Sequence, residues 1–77
     1  MSQVVELETR TIGRNIQREL NLRRWNVLEL RRQISAEIGQ TTLYRIVNGE
    51  VMPTLPILAV VAKALDTTID ALISDSD

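Results

Sequence analysis

The chain has 77 residues, nine Lys or Arg against ten Asp or Glu, and neither Cys nor His. That length holds one small core, near the size at which a core is marginal without a partner. The missing Cys exclude a disulfide framework, a thiol nucleophile and a thiolate metal site. The missing His removes the commonest general base and metal ligand.

Aromatic residues are nearly absent, so Leu, Ile and Val must do the packing. The longest apolar run, Leu55 to Ala62, is too short to span a bilayer, and "MSQVVELETR" lacks the form of a signal peptide. A soluble cytoplasmic protein is expected, with no membrane association and no cofactor.

The net charge of −1 hides an asymmetry. Residues 1–32 hold seven Arg against four Glu, which is +3, and residues 33–77 hold Arg45 and Lys63 against six acids, which is −4. For a polyanion the local patch matters more than the total. Solvation of helix faces is the plain alternative for any single Arg.

In chain order, residues 1–8 read as an extended arm, because "QVVELE" alternates but is too short and terminal to build a sheet. A strand pairing with a partner is the lesser alternative. Ile12, Ile16 and Leu20 recur every four residues and predict an amphipathic helix from about Thr9 to Asn21, with Arg10, Arg14 and Arg18 on another face. Asn26 followed by Glu29 resembles a capping box, so a second helix should start at Val27 and bury Leu30 and Ile34. A loop around Ser35–Gly39 leads to a third helix with Leu43, Ile46 and Val47 inward, ended by Asn48-Gly49. Thr54 caps a fourth helix with Pro56 in its first turn, running to about Leu65. A short fifth helix carries Ile69, Leu72 and Ile73, and the acidic tail at 75–77 is expected to fray. The fold class is therefore all-α, a single five-helix domain over residues 9–74.

Helix order, "IGQTTLYRIVNG" and "PTLPILAVVAKALDTTIDALI" together resemble the Cro/repressor-type helix-turn-helix family (lambda-repressor-like, XRE-type) across roughly residues 11–73. The second stretch is the more specific, through Pro53, Ala62, Leu65, Thr68, Ile69, Asp70 and Leu72. The resemblance implies a sequence-specific binder of double-stranded DNA, a transcriptional regulator of the repressor kind. It makes residues 40–48 the recognition helix and Gln40, Thr41, Tyr44 and Arg45 the base-reading positions. Members often join an Arg late in the first helix to a Glu in the recognition helix. Those positions are Leu20 and Val47 here, a joint replacement that leaves no buried charge unpaired, and the two should touch.

The likeness weakens from Leu20 to Glu37, where Gln33 and Glu37 occupy positions that are usually small. Either the turn holds about two extra residues after Ile34, or "ISAEIG" is itself the second helix. Asn26 favours the first.

Chemistry agrees with the reading roles. Gln suits adenine, Arg grips guanine O6 and N7, and Thr can meet a thymine methyl or a phosphate. For Gln40 and Thr41 the plain alternative is helix-start chemistry. Phosphate clamps are expected from Arg14, Arg18, Arg23, Arg24, Arg31, Arg32 and Asn48. Trp25 is expected in or against the core rather than as a base-stacking platform.

One small domain makes few phosphate contacts, so a homodimer on a palindromic operator is expected. Ile57, Val60 and Ala64 form a second apolar row on the fourth helix and a possible partner interface, with cover by Pro56 or the fifth helix as the alternative. Catalysis is not expected. Gly13, Gly39 and Gly49 are too scattered to cradle a phosphate, Asp66 and Asp70 look like a solvated pair, and no nucleophile has a base beside it. The rival is a helix-turn-helix fold used for protein contacts, such as an antitoxin-like partner.

Overall fold

Ile12, Ile16 and Leu20 lie on the buried side of a 22-residue helix and are the axis on which the other helices pack. The computed structural model describes residues 2–34 and 38–74. Their elements are α1 (Ser2–Arg23), α2 (Val27–Gln33), α3 (Gln40–Val47), α4 (Leu55–Ala64) and α5 (Ile69–Ile73). No strand occurs among the described residues, and none of these helices is long and apolar enough to cross a membrane.

The extended arm is a correction. From Ser2 onward the backbone is helical and continuous with α1. No Gly or Pro interrupts residues 2–12, and Gln3, Glu6, Leu7 and Glu8 are good helix formers. Adding residues to an existing helix avoids the nucleation cost, so a six-residue alternation did not decide the matter.

Side-chain caps start three of the shorter helices. Asn26 Oδ1 accepts from Glu29 N at 2.8 Å, Thr54 Oγ1 from Ile57 N at 3.4 Å and Thr68 Oγ1 from Ala71 N at 3.1 Å. Each such cap is worth about 1 kcal/mol. The Asn26 cap fixes α2 at Val27, and Ile34 is already extended (φ −95°, ψ 121°). The alternative that makes "ISAEIG" the second helix is therefore corrected at its first residue, while residues 35–37 lie outside the described residues. The connection from Gln33 to Gln40 carries buried Ile34 and Ile38, which tie it to the core.

Helices α1, α3 and α4 all end in the same way. The residue after the last turn takes positive φ: Arg24 at 58°, Gly49 at 76° and Asp66 at 54°. The next amide then bonds back to the last turn, Trp25 N to Leu20 O at 2.9 Å, Glu50 N to Arg45 O at 2.8 Å and Thr67 N to Ala62 O at 2.9 Å. This is the Schellman arrangement, and only α3 uses the glycine that suits it.

The core joins Ile12, Ile16 and Leu20 to Leu30, Leu43, Ile46, Val47, Leu58, Val61, Leu65 and Leu72. Leu20 and Val47 are both buried in it and line the same surface hollow, in keeping with their expected contact. Helix α1 packs on α3 through Gly13 and Gln17 and on α5 through Asn15. At 100° per residue those flanks lie on nearly opposite sides of α1. So α5, from which the acidic tail leaves, sits across α1 from α3. The tail itself, 75–77, lies outside the described residues.

Candidate nucleic-acid interface

Helix α3 separates its residues cleanly. Leu43, Ile46 and Val47 are buried, while Gln40, Thr41, Tyr44, Arg45 and the cap residue Asn48 are exposed. Their spacing of i, i+1, i+4, i+5 and i+8 puts all five on one stripe. The sequence assignment of inward and outward residues is what the structure places there. Thr42, also exposed, lies on the flank of that stripe.

Beside the stripe, a hollow opens between the end of α1, the start of α2 and α3. Asn21, Asn26 and Asn48 line it with carboxamides, and the Gln17 amide at its wall is bonded to Val47 O. Trp25 and Tyr44, the only two aromatic residues of the chain, line it as well. Trp25 is half-buried against the core, as expected. The hollow is uncharged, so it can take a sugar or phosphate only through neutral hydrogen bonds.

The arginines divide. Arg14, Arg24, Arg31 and Arg32 are exposed, and Arg32 makes only a loose 3.5 Å pair with Glu29. Arg18 is exposed but donates to Asn15 Oδ1 at 3.0 Å, on the α5 flank of α1. Arg23 is occupied elsewhere. Its guanidinium donates to Glu19 Oε1 at 2.7 Å and to the carbonyl of Leu65 at the end of α4. That side chain links α1 to α4 and cannot clamp a phosphate without leaving both partners. The expectation for Arg23 is corrected on that ground.

Two residues near the stripe were not among the sequence candidates. Arg10 is exposed, and a Cβ on Gly49 would meet its Cα at 3.3 Å and its Cγ at 3.8 Å, so it lies over the end of α3. Its place in the stripe with Arg14 was the available signal. Gln17 donates its Nε2 to Val47 O at 2.8 Å. No local pattern marks that bond, because its partner is thirty residues away.

The row Ile57, Val60 and Ala64 is half-buried and packs against the core. Ile57 and Val60 share an apolar crevice with Ile34 and Ile38. Ile34 and Ile38 flank the connection after α2 and so adjoin the Ile57 and Val60 part of the row. More exposed apolar side chains lie elsewhere: Leu22 and Leu28 on α1 and α2, and Met52, Leu55 and Ile73, which rim a groove with Ile12, Leu58 and Ile69.

A helix-turn-helix family model matches residues 17–72, well over half of the chain and all of α2 to α4. Among curated proteins and among solved structures nothing matches significantly.

Proposed function

Because the chain belongs to the lambda-repressor-like, XRE-type helix-turn-helix family of DNA-binding regulators, we propose that it reads a specific double-stranded sequence with α3 in the major groove and acts as a repressor in the cytoplasm. The observation that carries this reading is the stripe of Gln40, Thr41, Tyr44, Arg45 and Asn48, exposed on a helix whose other side is locked in the core. Groove width admits one helix, and those side-chain types match base edges.

Phosphate contacts fall to Arg10, Arg14, Arg24, Arg31 and Arg32, with Asn48 at the end of the stripe. Asp70 on α5 does not oppose this, since α5 lies across α1 from the reading helix. Of the acids in the second half, only Glu50 borders the end of α3 among the described residues. Two copies bind one palindromic operator, which doubles the phosphate contacts available to one small domain. The Ile57, Val60 and Ala64 row contributes to a partner contact only where its half-covered edge remains open. The Met52, Leu55 and Ile73 groove supports the second reading, a protein partner held by the same fold.

Titration of duplex DNA at several salt concentrations separates the two. A DNA reader loses affinity steeply as salt rises, with a log–log slope of about −0.9 per phosphate neutralised. Absent or salt-independent binding by a protein with an intact helical spectrum favours the protein-contact reading.

A further inference from the structure

The last four carbonyls of a helix have no partner within it and must find one outside. In α3 these belong to residues 44–47. Asn48 N donates to Tyr44 O at 2.9 Å, Glu50 N to Arg45 O at 2.8 Å and Gly49 N to Ile46 O at 3.1 Å. The turn at Gly49 thus satisfies three of the four. Val47 O is the fourth, and Gln17 Nε2 reaches it from α1 at 2.8 Å.

Gly13, one turn earlier on the same flank of α1, approaches the same atom. A Cβ there would lie 2.8 Å from Val47 O and 2.9 Å from Gly49 N. Bare backbone contact therefore sets how close α3 comes to α1, and the Gln17 amide holds it there. We infer that Gln17 is a positioning residue that fixes the angle at which α3 presents its reading stripe.

The Gln17 side chain thus ties α1 directly to the last turn of α3. From Val47 back to Gln40 the helix spans about 10 Å, so a tilt of roughly 6° moves its far end by about 1 Å. A displacement of that size spoils hydrogen-bond geometry at base edges but leaves a phosphate within reach of a long flexible Arg. Loss of the Gln17 bond should therefore cost selectivity rather than general DNA affinity. This rests on the proposal that α3 reads DNA.

The test compares wild type, Gln17→Met and Gln17→Lys for binding to a duplex selected by the wild type and to a scrambled one, with thermal melts alongside. Gln17→Met keeps the length and removes the donor, and Gln17→Lys keeps a donor of similar reach. For Gln17→Met the ratio of selected to scrambled affinity is expected to fall about tenfold, with the scrambled affinity and salt slope unchanged. Gln17→Lys should return the ratio to within about threefold of wild type. A folded Gln17→Met with the wild-type ratio overturns the inference. So does a proportional fall in both affinities, which is the mark of a purely structural role. If Gln17→Met does not fold, Gln17→Ala, which also removes the donor, decides by the same criterion. A wild type that selects no sequence removes the DNA-reading proposal and this inference together, whereas selection by wild type with an unaltered Gln17→Met ratio removes this inference only.

Discussion

Asn15 in α1 donates its Nδ2 to the carbonyl of Leu72 at 2.7 Å, holding the end of α5 from 57 residues away. The same nitrogen reaches Ser74 O at 2.8 Å, and its Oδ1 accepts from Arg18. A five-residue helix cannot sustain itself in water. Its carbonyls are satisfied by this buried amide, and Leu72 is sealed beneath. Asn15→Leu keeps the volume but strands those acceptors, so a loss of about 2–3 kcal/mol is expected. Thermal unfolding should show it as a fall of roughly 10 °C or more. A melting temperature within about 2 °C of wild type would mean that α5 is held by Leu72 alone.

Gly13→Ala tests the backbone contact between α1 and α3. In an open helix interior this change stabilises by nearly 1 kcal/mol. Here the new methyl meets the backbone of Val47 and Gly49 below 3 Å, and backbone cannot swing aside like a side-chain tip. The sign should reverse, with a net loss of about 1–3 kcal/mol in urea unfolding. A gain in stability would show that α3 stands further from α1.

Arg23→Ala should cost stability and leave DNA binding alone. Its guanidinium spans Glu19 and the Leu65 carbonyl, both partly shielded, and removal is expected to cost about 1 kcal/mol. Arg14→Ala should do the opposite, leaving the melt unchanged and reducing the salt slope by about one phosphate. A reduced salt slope for Arg23→Ala would place that side chain on the DNA after all.

At Arg24 the backbone and the side chain pull apart. Its φ of 58° disfavours any residue with a Cβ, by about 1–2 kcal/mol. Glycine relieves that strain but widens the unfolded ensemble by about 0.4–1 kcal/mol. Arg24→Gly should therefore be neutral or stabilising by up to about 1 kcal/mol in chemical unfolding, while its DNA affinity drops through the lost cation. Clear destabilisation would show that the Arg24 side chain supports the fold.

Local chemistry made much of this molecule legible from sequence. Asn26, Thr54 and Thr68 cap helices, and Gly49 ends one, because each acts on amides within three or four residues of itself. Leu43, Ile46 and Val47 declared the buried side of α3 and, by exclusion, its exposed side. The first turns of α1 were obscured because "QVVELE" satisfies strand alternation and tolerates helix equally, and only continuity with residues 9–23 decides between them. Arg23, Asn15 and Gln17 were illegible for a common reason. Each is a polar residue on a helix with a backbone carbonyl partner thirty or more residues away, which no spacing rule reveals. The Glu19 neighbour of Arg23 is only what an ordinary solvated pair would show. Asn15 left one faint sign, its place next to Ile16 beside the apolar stripe.

The central claim, that α3 reads bases, is tested most directly by Arg45→Ala on a duplex selected by the wild type, with each base pair of the site varied in turn. Arg45 is exposed on the reading stripe and free of the core. The account predicts that discrimination collapses at one base pair by about 1–3 kcal/mol and persists at the others, with the salt slope changed by no more than about one. Equal weakening at every position would mean that Arg45 serves only as a charge, and unchanged discrimination throughout would mean that α3 does not lie in the groove.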